Sequence, residues 1–200
     1  MTPSDIEQIY EEFHTPKHVR QHCLQVALVG EFLANALNEA GMEIDASLVW
    51  QGGMLHDVVR VVDFKKLPRD LGTKEDQMVW KKLRADHVGK HHGAVAAEIL
   101  RERGEEALAD IIARHQTGLL GTPQGPNSWE SKLLFYADKR VRHHEIVSLQ
   151  ERLEEGWNRH FNGRAKEPSE ETIEAGVYAL EREIFERLPF GPDEVMKVLK

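Results

Sequence analysis

LVWQGGMLHDVV, residues 48–59, is apolar nearly all round a helical wheel until His56 and Asp57 interrupt it. A helix with no polar face belongs inside a core, and Asp45 is placed to cap one running from Ala46 to about Val58. The adjacent glycines Gly52 and Gly53 each cost such a helix about 1 kcal/mol against alanine. That cost makes sense where another backbone or a ligand must come close. His56 and Asp57 are the first ionisable groups to appear as this buried helix surfaces.

Outward from this segment, helical periodicity dominates. In His22–Asn38, Val26, Val29, Leu33 and Leu37 recur at spacings of three and four, with Gly41 as a stop. Residues 63–86 are mixed, with Pro68 and Gly72 marking turns. An apolar stripe of Val95, Ile99 and Leu100 predicts a helix over His92–Gly104 that ends at Gly104, and Leu108, Ile111 and Ile112 predict another over Glu105–His115. A Gly- and Pro-rich loop spans Thr117–Ser128. A single long helix is then expected from about Trp129 to Gly156, which places His143 and His144 on its surface. A polar loop over Asn158–Pro168 and a helix from Ser169 through Leu188 follow, with a short terminal helix after Pro192. Period-two alternation is nearly absent, so no β-strand is expected. The fold class is all-α, a compact helical bundle. One domain is expected, with its core over about residues 17–152 and a helical extension over about 157–200.

Composition narrows the function. The 200 residues carry a net charge of −8, which argues against extended nucleic-acid binding, since that needs a basic face. One cysteine, Cys23, excludes an intrachain disulfide framework and fits a reducing compartment. No apolar run approaches the roughly 20 residues that cross a bilayer, and the acidic N-terminal stretch does not read as a targeting peptide. The expectation is a soluble cytoplasmic protein with no membrane partner; oligomeric state stays open. Eleven histidines point to imidazole chemistry.

Residues able to hold a transition metal fall on separate elements. They are His22, the doublet His56-Asp57, His92, His115, and Asp138 inside the apolar run KLLFYADKRV. An aspartate in such a run is costly unless paired or metal-bound, and helical bundles build metal sites in their cores. Taken singly, most helical histidines are surface or hydrogen-bonded core residues; convergence is what raises these. Of the neighbouring cations, Arg60 can hold a phosphate bidentately or pair with Asp63. Lys139 and Arg140 flank Asp138 and can meet a substrate phosphate, whereas Arg142 reads as a solvated face. His18 shares a helix face with His22, and His87 or His91 can stand in for His92. Cys23 reads as a buried structural thiol and the four tryptophans as packing residues.

The order His22 … His56-Asp57 … Asp138, in the settings HVRQHCLQVA, GGMLHDVVR and LLFYADKRV, resembles the HD superfamily of metal-dependent phosphohydrolases. HHGAVAAEIL followed by ADIIARHQTG resembles its subgroup with six ligands and two metals, although Ala96 stands where the subgroup usually has glycine. The resemblance implies one ion held by His22, His56, Asp57 and Asp138, and a second held by Asp57, bridging, with His92 and His115. It implies divalent transition metals as cofactor, two ions of Fe, Mn, Co, Ni or Zn. It also implies hydrolysis of a phosphate ester or anhydride of a nucleotide-like small molecule by a metal-activated water. Asp57, Arg60 and Lys139 are then the catalytic candidates; the chain is similar in its six-ligand arrangement to bacterial symmetrical diadenosine-tetraphosphate hydrolases, which usually have a lysine three residues after the Asp of the doublet, where Arg60 stands here. Two other readings use the same residues: a diiron oxygenase of HD-like type, and a non-catalytic nucleotide-binding sensor.

Overall fold

The chain begins with two helices, α1 (Pro3–Glu12) and α2 (Lys17–Glu39), in the computed structural model, which describes residues 1–67 and 72–199. Then come α3 (Ala46–Leu55), a 3-10 turn over Arg60–Asp63, α4 (Lys74–Asp86), α5 (His92–Glu102), α6 (Glu106–Ala113) and a second 3-10 turn over Thr117–Leu119. After α7 (Trp129–Asp138), strands β1 (Val141–Arg142) and β2 (Glu145–Ile146) form a small antiparallel hairpin. The chain continues through α8 (Leu149–Phe161), α9 (Pro168–Phe185) and α10 (Pro192–Val198). The fold is all-α, as the periodicity predicts. The turn expected at Pro68 lies outside the described residues.

Local chemistry sets the helix ends. Reciprocal capping boxes open α1 with Thr2 and Asp5, α4 with Thr73 and Asp76, and α8 with Ser148 and Glu151, each satisfying amides that have no partner inside the helix. Asp45 caps α3 as expected, accepting from the Leu48 amide at 2.9 Å.

The core is organised around α3, which packs against α2, α6 and α7. Gly53 is what lets α2 and α3 meet backbone to backbone: a Cβ there would lie 2.4 Å from the Ala27 Cα. Val26, Val29 and Leu33 of α2, Val49 and Leu55 of α3, Ile112 of α6 and Phe135 of α7 are fully buried around this contact. Because α3 stops at Leu55, His56 and Asp57 occupy a turn at the end of a buried rod, three residues earlier than the periodicity predicts.

The long helix expected over 129–156 is not formed. α7 ends at Asp138, and the chain reverses through a hairpin with His143 at φ +57° before α8 begins. Val141 and Val147, both buried, anchor this reversal on the core. Their apolar character is what mimics continued helical period. The expectation that no strand would form is corrected with it, and α8 extends to Phe161, into the stretch expected to be loop. Arg140 fastens the reversal. Fully buried, it donates to the Val147 carbonyl at 2.8 Å, the Tyr136 hydroxyl at 2.6 Å and the Pro192 carbonyl at 3.1 Å. Of the two cations flanking Asp138, Arg140 is therefore structural.

Candidate metal centre

All six residues singled out as metal ligands converge. His22 comes from α2, His56 and Asp57 from the turn after α3, His92 from the first residue of α5, His115 from just past α6, and Asp138 from the last residue of α7. His56 is fully buried, and His92, His115, Asp57 and Asp138 are each 9% exposed or less. Among the described residues, two groups have ligand-capable atoms close enough to hold a metal ion: His22, His56 and Asp138, and His91, His92 and His115.

The histidines share one hydrogen-bonding pattern. His22 Nδ1 donates to the His143 carbonyl at 2.9 Å, His56 Nδ1 to the Gly53 carbonyl at 2.9 Å, His115 Nδ1 to the Ile112 carbonyl at 2.6 Å, and His92 Nδ1 to Asp63 Oδ2 at 2.7 Å. Each acceptor fixes the proton on Nδ1, so each neutral ring turns an Nε2 lone pair inward. Those lone pairs meet the carboxylates: His22 Nε2 lies 3.2 Å and His56 Nε2 3.7 Å from Asp138 Oδ1, and His92 Nε2 lies 2.8 Å from Asp57 Oδ1. His92 Nε2 and His115 Nε2 stand 3.1 Å apart with both Nδ1 atoms committed as donors, and buried His56 Nε2 has no hydrogen-bond partner among the described residues. Facing lone pairs and an orphaned buried nitrogen call for a cation between them.

The electrostatics agree. Burial by itself would push His56 down, yet the Asp57 carboxylate beside it outweighs burial and holds the imidazole well above its ordinary value. Burial would likewise raise Asp57 and Asp138. His56 and His92 hold Asp57 well below the usual carboxylate range, and Lys139 with His22 and His56 does the same for Asp138. His115 is driven the other way, by burial and then by His92 and His56. The carboxylates are held ionised and His115 neutral, while, against burial, Asp57 draws His56, and Asp57 with Asp63 draws His92, toward the charged form, so a bound cation would compete with protons at those two rings.

The candidate ligands open onto a cavity of about 750 Å³. Its inner wall includes His18, Arg60, His91 and Lys139, and its outer wall is built by α8 and α9. Lys139 is buried and ion-paired with Asp138. Arg60 pairs with Asp63, as one reading had it, and its Nε lies 3.5 Å from Asp57 Oδ2. His18 stacks on Phe64 with ring centroids 6.2 Å apart. His91 caps α5, its Nδ1 accepting from the Gly93 amide at 3.1 Å. Cys23 is buried and unpaired, as expected. Arg142, His143 and His144, expected on a helix surface, line the cavity because the hairpin turns them toward it. Trp157, expected to be a packing residue, also lines it and stacks on Phe161 at 4.3 Å. Gly93 is required by the site itself, since a Cβ there would fall 2.4 Å from His115 Cε1.

Sequence reasoning missed two supports. The His143 carbonyl orients His22, and a backbone acceptor across a chain reversal leaves no trace in residue types. Asp63 was seen only as a partner for Arg60, although a carboxylate six residues after the doublet was a signal that could have been weighed.

The HD domain profile matches residues 19–180. The chain belongs to the HD domain family. This is a family of metal-dependent phosphohydrolases, and the two ligand groups are consistent with its metal dependence. The chain is also 31% identical over 137 residues to an uncharacterized protein of Methanocaldococcus jannaschii, covering 62% of this chain and 67% of that protein. No solved structure gives a significant match.

Proposed function

We propose that this HD protein hydrolyses a phosphate ester or anhydride of a nucleotide-like small molecule, with two divalent transition-metal ions. The observation that carries this reading is the inward convergence of four Nε2 atoms on Asp57 and Asp138, above all the 3.1 Å approach of His92 Nε2 to His115 Nε2. His22, His56, Asp57 and Asp138 would hold one ion, and Asp57, His92 and His115 the other. Asp57 Oδ1 suits the shared role, at 2.8 Å from His92 Nε2, 3.8 Å from His56 Nε2 and 4.0 Å from His115 Nε2. Ions bound there supply Lewis acidity and bring the pKa of a water toward about 7.

The chain's own residues do the rest. Asp57 fixes the direction from which a nucleophile approaches. Lys139 and Arg60, both at the cavity wall, neutralise charge on the phosphoryl oxygens. Buried as it is, Lys139 does so in a low-dielectric setting that strengthens the interaction. The cavity volume is in the range of small-molecule sites, about 300–1,000 Å³, which supports a substrate with a sizeable organic part. Buried, unpaired Cys23 supports a reducing, cytoplasmic setting. One apolar cluster joins α2 and α7 to Val177, Leu180 and Val195, which supports one helical domain with an HD core over about 17–152.

The test is a screen of phosphorylated metabolites with protein loaded with Mn²⁺ or Co²⁺, paired with metal analysis. Phosphate release from a nucleotide-like substrate is the expected result. Substrate-dependent oxygen uptake by the iron form without phosphate release would replace this reading with an oxygenase. Tight nucleotide binding without turnover would replace it with a sensor.

A further inference from the structure

The segment that follows the His-Asp doublet does more than connect it to α4. Its 3-10 turn ends at Asp63, whose two carboxylate oxygens have separate partners. Oδ1 takes the Arg60 guanidinium, while Oδ2 accepts from His92 twice, from Nδ1 at 2.7 Å and from the backbone amide at 3.1 Å. His92 is the first residue of α5, so its amide is one of the helix-start donors with no intrahelical acceptor. Asp63 thus fixes both the backbone and the ring of one residue. Its own placement is held from behind. Arg84 of α4 donates through Nη1 to the Val61 carbonyl at 3.0 Å and to the Phe64 carbonyl at 2.6 Å, gripping the chain on either side of Asp63.

The other three inward-facing histidines are oriented by backbone carbonyls, which no substitution removes. His92 alone among them depends on a side chain, and that side chain is a quarter exposed, at 25%. A carboxylate behind a metal-binding imidazole fixes its tautomer and raises its basicity. Arg60 Nη1 also lies 3.1 Å from His92 Nδ1. Both are donors in this arrangement, so the shorter bond to Asp63 sets the proton's position.

We propose that Asp63 is the positioning residue of the His92–His115 half of the site, and that it decides whether this half holds its ion while leaving the His22–His56–Asp138 half unaffected. The inference rests on the two-ion reading above. The residues from His56 to Asp63 then supply both the shared ligand, Asp57, and the brace of the second group.

The experiment is competitive titration of Mn²⁺ or Co²⁺ against a chelator, resolving the two binding steps, on the full chain and on its Asp63→Ala and Asp63→Asn variants. ¹⁵N NMR of the metal-free proteins reads the His92 tautomer alongside. In Asp63→Ala, one binding step is expected to weaken by about 10–100-fold and the other to stay within about twofold, with loss of the Nδ1–H signature of His92. Asn keeps one acceptor without charge, so Asp63→Asn should weaken the same step by a smaller factor; being nearly isosteric, it decides the matter if the alanine variant fails to fold. Two unchanged binding steps in Asp63→Asn and Asp63→Ala, or equal weakening of both steps, would overturn the role of Asp63 with the two-ion reading intact. A single binding step in the unmodified chain would overturn that reading, and this inference with it.

Discussion

The two walls of the cavity are made differently. The α7 side buries seven of its ten residues and ends in Asp138, whereas α8, across the cavity, buries only Leu149 of its thirteen. Apart from His22, which lies inside α2, the candidate ligands on the inner wall sit at or just past helix ends, and the packing there is so close that Gly53 and Gly93 have no room for a methyl group. The outer wall is tied by partly exposed ion pairs, Lys166 to Glu174, Arg164 to Glu170, and Arg152 and Arg159 to Glu155. Exposed pairs contribute about 0–1 kcal/mol each and weaken in salt. Precision is therefore concentrated where ions and a phosphoryl group would be held, and latitude where the rest of a substrate would lie.

The sharpest way to break this contrast is on the inner wall. Asp57→Ala is expected to lower kcat/KM by at least about 10³-fold while helical circular dichroism persists, because Asp57 is not part of the apolar core. Near-normal turnover with bound metal would remove Asp57 from the centre of the account.

Arg140 joins the two walls, and its removal should be felt as stability. Arg140→Ala leaves the Tyr136 hydroxyl and two carbonyls short of a buried donor and removes the cation 3.7 Å from Glu181, and the expected cost is about 3 kcal/mol, read as a lower urea midpoint. A loss under about 1 kcal/mol would show that the hairpin and α10 hold without it.

Gly93→Ala probes the tolerance of the site. The added methyl must displace His115, and a shift of about 1 Å costs on the order of 10²-fold in rate. Steady-state kinetics check this, and unchanged kcat would show that the second ligand group is looser than its packing implies.

The smallest effect belongs to the outer wall. Lys166→Ala should change stability by about 0–1 kcal/mol and kcat by less than about twofold. A tenfold fall in kcat would place Lys166 in the chemistry and collapse the contrast between the walls.

Legibility in the sequence follows the same division. The residues of α2, α3, α5 and α6 declared themselves through apolar spacing, because one face of each is committed to the core. The six candidate ligands were legible because Asp138 interrupts an apolar run, His56-Asp57 ends one, and the order of all six resembles that of a known family. The reversal at His143 was not legible. Val141, Ile146 and Val147 keep an apolar rhythm that reads as helix, and no glycine marks the turn although His143 adopts a positive φ. Trp157 and Arg142 were read as packing and solvated residues for the same reason, since their place at the cavity depends on that reversal.

The central claim is that two ion-holding groups share Asp57. The most direct test is metal content per chain, after loading with Mn²⁺ or Fe²⁺, in the unmodified protein and in the double variant His92→Ala, His115→Ala. The account predicts a fall from about two ions to about one, the remaining ligands being the three or four that such a site commonly uses. An unchanged metal count in the double variant would contradict it.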